Sequence, residues 1–180
     1  TLAIWEPGAA QPFRRLWSQG AVCCQLNWSA DSQTVLVGNP YYSNIPPGVW
    51  AYDAQTGQET ILVDGMLEEG PLLFAGWPTQ NAAGEVTYFA TIPETGNDYI
   101  FLDGEVTFVM MRKDSPASAP VQIRPEKFAI VDVLWAVDGS QAVIVQPYDS
   151  GRAIVLADTN GSPLQTLYQG ELIRYLSWGP

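Results

Sequence analysis

The side chains best suited to recognition fall in three short stretches: Tyr41, Tyr42 and Asn44; Asn97, Asp98 and Tyr99; and Tyr148 and Asp149, with Arg152 just beyond. Tyrosine offers a large contact area with little side-chain entropy to lose, and arginine is a frequent interface anchor. The same types also serve as turn residues that cover strand ends, so the elements around them decide which role they play. A second set, Asp98, Asp103, Asp149 and Asp158, has the oxygen ligands that Ca²⁺ prefers. No stretch matches the continuous D-x-[DN]-x-[DN]-G loop, so no metal site is expected. The pair Glu68–Glu69, in the loop entering the second repeat unit, is the acidic feature expected on the same candidate binding face.

Catalytic readings lose their usual parts. The chain has no histidine, which removes the commonest general base and every Ser/His/Asp or Cys/His arrangement. Cys23 and Cys24 are adjacent, and neighbours on a strand point to opposite faces, so neither a mutual disulfide nor a zinc site is expected. A paired-carboxylate hydrolase needs two carboxyl groups about 5–9 Å apart in a cleft. Acidic pairs exist, but no spacing singles one out, and no G-x-S-x-G elbow occurs. The chain is therefore expected to be neither an enzyme nor a holder of a cofactor.

Composition narrows the partners. Nineteen acidic residues against eight basic ones give a net charge of −11, which repels phosphate backbones and anionic lipid heads. With only Lys113 and Lys127 as lysines, no basic stripe can form, so nucleic acid is not expected as a partner. No run approaches the roughly 20 apolar residues of a membrane-spanning helix, and membrane insertion is not expected. The first residues read as a strand rather than as a signal peptide, so any leader is expected outside this sequence. Arg14–Arg15 reads as a solvated pair on an outer strand.

The elements that would position these residues repeat along the chain. Gln25–Val37, QLNWSADSQTVLV, is an apolar strand ending in Trp28, a polar turn containing Asp31, and a second strand. Val131–Val145, VDVLWAVDGSQAVIV, has the same design, with Trp135 and Asp138. The closing IRYLSWGP, with Trp178, looks like the first half of another copy. A second half-unit, two strands around a Gly-containing turn, occurs at Val49–Leu62 and again at Ala153–Leu167, with a third version near the N-terminus. Between them Leu72–Trp77, Val86–Ile92, Val106–Met111 and Val121–Ile123 form a degenerate unit. Trp28, Trp77, Trp135 and Trp178 are 49, 58 and 43 residues apart, close to a propeller blade period, and their recurrence marks them as core. Sixteen glycines and fourteen prolines leave no long helical stripe. The fold class is all-β, antiparallel four-stranded blades of a β-propeller.

The W-S-x-D turn at Trp28–Asp31, its variant W-A-V-D-G at Trp135–Gly139, and the aromatic-Asp-x-x-T-G turn at Tyr52–Gly57 resemble the repeat of TolB-like (WD-like) propellers. The resemblance implies that the repeat tryptophan packs between blades and that the aspartate (Asp31, Asp138) ties its turn to the next strand. It is weakest around Trp77, which is followed by Pro78–Thr79–Gln80 and no aspartate.

The chain reads as a single propeller segment over 1–180, with blades over 21–63, 70–124 and 128–167 and half-blades over 1–17 and 172–180. Three closures are open: consecutive blades of a six- to eight-bladed ring, a four-bladed ring closed by the termini, or a homo-oligomer completing one ring. The first is preferred because small rings of this repeat are unusual. The loops joining second to third strands, Gly38–Gly48, Pro93–Gly104 and Gln146–Gly151, gather the recognition residues on one face. The expected function is a non-catalytic binding or scaffolding module with a protein partner. The resemblance implies a bacterial cell-envelope setting, periplasmic or extracellular. The alternative is the gating propeller of a larger hydrolase such as a prolyl-oligopeptidase-like peptidase. Replacing either Trp28 or Trp135 by Ala should cost roughly 3–5 kcal/mol if both are core.

Overall fold

The computed structural model describes residues 2–5, 7–8, 10–11, 14–17, 25–39, 47–65, 73–91, 107–171, 173 and 176. Among them there is no helix, and fourteen strands make up the fold. A hairpin of β1 (Leu2–Ile4) and β2 (Arg14–Trp17) precedes three antiparallel blades. The first blade is β3 (Gln25–Trp28), β4 (Thr34–Asn39), β5 (Gly48–Asp53) and β6 (Glu59–Asp64). The second is β7 (Phe74–Gln80), β8 (Val86–Thr91), β9 (Thr107–Lys113) and β10 (Val121–Ala129). The third is β11 (Asp132–Trp135), β12 (Gln141–Tyr148), β13 (Gly151–Asp158) and β14 (Gln165–Gly170). Strand β10 runs to Ala129, so Phe128 closes the second blade, where the sequence pattern placed the start of the third.

Middle strands read as near-continuous apolar runs because a neighbour covers each face. In β4 and β5, Val35 to Asn39 and Gly48 to Tyr52 are all buried. Alternation along β8 then sorts residues between neighbours, since successive side chains point to opposite faces. Val86, Tyr88 and Ala90 join Leu36, Val49, Ala51, Leu62 and Val63 of the first blade. Phe89 instead joins Trp135, Ala142, Ile144 and Ala157 of the third blade, together with Trp77, Phe108, Met110 and Phe128. The hydrophobic core is thus two seams, one on each side of the second blade.

The seams are built differently. Between the first and second blades the side chains are aliphatic apart from Tyr88, small ones (Ala51, Ala75 and Ala90) among them, and the backbones come close. A Cβ on Gly38 would stand 2.6 Å from the Pro78 Cδ and 2.9 Å from the Gly76 Cα, so no larger residue fits without movement. Strands β4 and β7 share a single ladder bridge, Asn39 to Ala75, which fuses the two blades into one eight-stranded sheet. Between the second and third blades an aromatic layer sets the spacing. Trp77 meets Phe108 and Phe89 edge-on, at centroid distances of 5.3 and 6.4 Å, and Phe89 meets Phe128 at 5.6 Å and Trp135 at 5.8 Å. Each such pair adds about 0.5–1.5 kcal/mol beyond its buried area.

Polar staples fasten both seams. At the inner rim the Asn27 Nδ2 donates to the Pro78 carbonyl at 3.2 Å, and the Trp135 Nε1 donates to the Trp77 carbonyl at 2.7 Å. At the outer rim the Lys113 Nζ reaches back to the Leu62 carbonyl at 2.9 Å. Arg124, buried in an irregular stretch of β10 between Gln122 and Lys127, donates through Nη2 to the carbonyls of Asp158 and Ser162. Both inner-rim acceptors, Trp77 and Pro78, lie in a bulge of β7, where register slips between Gly76 and Thr79. Proline is tolerated there because a bulge already interrupts the ladder.

Candidate functional site

The turns at one end of the blades consume their own acidic side chains. In the first blade the Ser29 hydroxyl and the Gln33 amide both donate to the Asp31 carboxylate, at 2.6 and 3.0 Å. Those bonds, led by the Ser29 hydroxyl, hold the Asp31 carboxyl below its usual range. In the third blade the Ser140 amide and hydroxyl take the same role toward Asp138, at 3.0 and 2.7 Å, and lower it likewise. Asp158 receives the Asn160 amide at 2.6 Å and is also lowered, chiefly by that bond and then by the Ser162 hydroxyl, with a smaller contribution from Arg124. An acceptor whose negative form is hydrogen-bonded stays ionised at neutral pH and is a poor proton donor. These aspartates hold turns.

The degenerate second blade fills the same role with different residues. Asn81 Oδ1 accepts from the amides of Ala83 and Glu85, each at 3.0 Å, and its Nδ2 bonds the Glu85 carboxylate. The pairing also corrects the repeat alignment. Trp28 faces Val35 and Trp135 faces Ala142 at the last rung before the turn, and that rung in the second blade is Gln80 facing Val86. Trp77 lies three residues earlier, in the bulge, with a left-handed φ of 48°. It is buried for another reason, as a member of the aromatic seam.

Trp28 departs from the core expectation too. It is 44 % exposed, against 6 % for Trp135 at the equivalent position. Trp135 faces the preceding blade, which supplies both its aromatic neighbours and its hydrogen-bond acceptor. No four-stranded blade precedes the first among the described residues, so Trp28 has no such counterpart there.

The recognition residues fare unevenly. Tyr41, Tyr42, Asn44, Asn97, Asp98 and Tyr99 lie outside the described residues, as do Trp178, Asp103, Glu68, Glu69, Cys23 and Cys24. The third stretch is described, and it is a tight hairpin rather than a long loop. Tyr148 pairs with Gly151 and Pro147 with Arg152, leaving Asp149 and Ser150 as the turn. Asp149 has φ 47°, a left-handed conformation that aspartate accepts more readily than most residues. Tyr148 is 45 % exposed and Asp149 is exposed, while Arg152 is half-buried and already engaged by neighbours.

A second feature escaped the loop-centred reading. The inner strands β3, β7 and β11 enclose a cavity of about 60 Å³, lined by Gln25, Leu26, Asn27, Trp77, Pro78, Val133, Leu134 and Trp135. The Gln25 Oε1 is buried there without a hydrogen-bond partner. The alternation in Gln25–Leu26–Asn27–Trp28, polar residues on one face and apolar on the other, was the available signal. Among the described residues no ionisable side chain lines this space. Among the described residues no group of three or more His, Cys, Asp or Glu side chains is placed to hold a metal.

No family model matches the chain, and no curated protein matches it. Solved structures do. TolB from Acinetobacter baumannii superposes with a TM-score of 0.55 at 13 % identity, covering 89 % of this chain and 36 % of that one. A TolB-assigned protein from Agrobacterium tumefaciens gives 0.53 at 17 % identity, covering 84 % of this chain and 51 % of that one. The chain has the fold of these proteins, a TolB-like β-propeller, and spans between about a third and a half of their length.

Proposed function

We propose that this chain is part of a propeller that binds or scaffolds a protein partner without catalysing a reaction, in a bacterial cell-envelope setting. The observation that carries the reading is the axial cavity. It is lined by the amides of Gln25 and Asn27, the rings of Trp77 and Trp135 and the apolar Leu26, Pro78, Val133 and Leu134, with no ionisable group among the described residues, and at about 60 Å³ it is far below the roughly 300 Å³ of a small-molecule site. Such a surface suits hydrogen-bonded docking of a partner across the mouth of the blades. Gln25 belongs to that mouth, since it pairs with Gly38 at the end of β3 from which the second-to-third-strand connections emerge. The Tyr148–Asp149 hairpin emerges at the same end of the third blade and presents an exposed ring.

The reading is tested with a photo-crosslinking amino acid placed at Tyr148 in the parent protein within its native cell. A control is placed at Val137, which is 81 % exposed in the turn at the opposite end of the blade. The expected result is a discrete crosslinked protein from position 148 and none from 137. Identical labelling from both positions, or none from 148, would sink the proposal. Fractionation of the same cells tests the cell-envelope setting, which fails if the protein is recovered with the cytosol.

A further inference from the structure

Outer strands of blades present an unpaired row of N–H and C=O groups, and proteins usually blunt such edges with charges, proline or bulges. Two of the three outer strands here follow that rule. Strand β6 begins at Glu59 and ends at Asp64, and its Leu62 and Val63 are buried against the second blade. Strand β10 carries Arg124, Pro125, Glu126 and Lys127 in a stretch where its register breaks.

Strand β14 shares the register slip, which leaves Leu167 as an extra residue opposite Ile154 and Val155, but it has neither of the other two devices. Its sequence, Gln165-Thr166-Leu167-Tyr168-Gln169-Gly170, has no charge and no proline. Every residue from Gln165 to Gln169 is exposed, with Leu167 at 49 % and Tyr168 at 55 %. Among the described residues it pairs only with β13. The Tyr168 ring is folded along its own strand, so close to Gly170 that a Cβ there would meet its hydroxyl at 2.6 Å. The ring thus lies along the sheet face and leaves the hydrogen-bonding edge of the backbone uncovered. A Thr-Leu-Tyr centre also favours extended structure.

We propose that the free edge of β14 is a docking site for an extended, cationic segment of a partner protein, which adds to the third blade as a fifth antiparallel strand. Main-chain hydrogen bonds supply the affinity in this mode of recognition, and alternate side chains supply the selectivity. Charge decides the occupant. The chain carries −11, and Glu171 and the exposed Asp149 lie at the end of the sheet where β14 finishes, Gly170 pairing with Arg152 two rungs from the Asp149–Ser150 turn. A second copy would bring another −11 to a neutral edge, whereas a segment with basic residues at its N-terminal end meets that acidic end when it runs antiparallel. The proposal goes beyond the loop-face reading above and does not depend on it.

The test uses a synthetic peptide with two N-terminal lysines followed by alternating threonine and valine. A second peptide has the same sequence with alternate backbone amides N-methylated. Binding to the full chain is followed by amide hydrogen exchange and by titration. The unmodified peptide should slow exchange at Gln165–Gly170, and the N-methylated one should not. Leu167→Lys, at an exposed position, should weaken binding by about tenfold or more, while neutral Leu167→Thr and Val137→Ala, in the exposed turn at the opposite end of the blade, should leave it unchanged. Absence of binding, equal binding of the N-methylated peptide, or protection at the loop face with β14 unaffected would each overturn the proposal. So would a dimer in light scattering that Leu167→Lys dissolves, since the edge would then belong to a second copy.

Discussion

The two seams flanking the second blade solve one packing problem in opposite ways. Toward the first blade the chain uses Gly38, Ala51, Ala75 and Ala90, and the backbones approach until β4 and β7 share a rung. Toward the third blade it uses Trp77, Phe89, Phe108, Phe128 and Trp135, which hold the sheets apart by a layer of rings. The small-residue seam depends on backbone fit and is sensitive to added atoms. The aromatic seam depends on side-chain bulk and is sensitive to removed ones. Both also spend a side-chain donor on the carbonyls of one bulge, so β7 is the common anchor.

The largest effect that would sharpen this contrast is Trp135→Ala. Its loss should lower unfolding free energy by about 3–5 kcal/mol in chemical denaturation. Trp28→Ala, at the same repeat position but 44 % exposed, should cost no more than about 1 kcal/mol. Equal losses for the two would break the distinction between a covered and an uncovered repeat tryptophan.

Gly38→Ala probes the other seam. It should destabilise by about 1–3 kcal/mol through overpacking against the Pro78 ring and the Gly76 backbone, although alanine ordinarily suits a strand better than glycine. A neutral or stabilising result would mean that the two blades can separate without cost.

Removing the outer-rim staples should rank next. Arg124→Met removes a buried guanidinium and its bonds to the Asp158 and Ser162 carbonyls, and should cost about 1–3 kcal/mol. Lys113→Met acts at a half-buried position and should cost less, about 1 kcal/mol. The reverse order, measured in parallel melts, would argue against the burial difference as the cause.

The smallest effects should appear with pH. Burial pushes the Tyr88 phenol up to about 12, and Tyr88 belongs to the small-residue seam, while the aromatic seam contains no tyrosine. A phenol whose folded value is raised contributes stability below its unfolded value near 10 and loses it as pH rises toward 12. Alkaline exchange should therefore loosen the first seam before the second, and Tyr88→Phe should remove the difference. At the acid end the lowered carboxyls of Asp31, Asp138 and Asp158 work in the opposite direction. Their contribution is present above about pH 4 and is lost as pH falls through their folded values. A triple Asn variant should show a flatter acid limb.

Much of this was legible in the chain. The alternation in β3, the two-sided apolar runs of β4 and β12, and the Asp turns follow from short-range rules, so blades and turns could be read directly. The second blade was harder. Its bulge at Trp77–Pro78 shifts the repeat, so that a tryptophan at nearly the right period sits at the wrong rung and Asn81 replaces the missing aspartate. The axial cavity was half visible in Gln25 and Asn27, whose polarity on an inner strand has no reason until three strands converge on it.

Residue types and local spacing determined by themselves that the chain forms strands, where it turns, and that Asp31 and Asp138 belong to turns, because those outcomes depend on bonds among residues a few positions apart. Tertiary structure alone decided that Trp135 is covered and Trp28 is not, that Arg124 reaches carbonyls 34 and 38 residues away, and that β14 pairs only with β13 among the described residues. Burial and edge pairing are properties of neighbours brought together from distant parts of the chain, and the same repeat motif meets different neighbours in each blade.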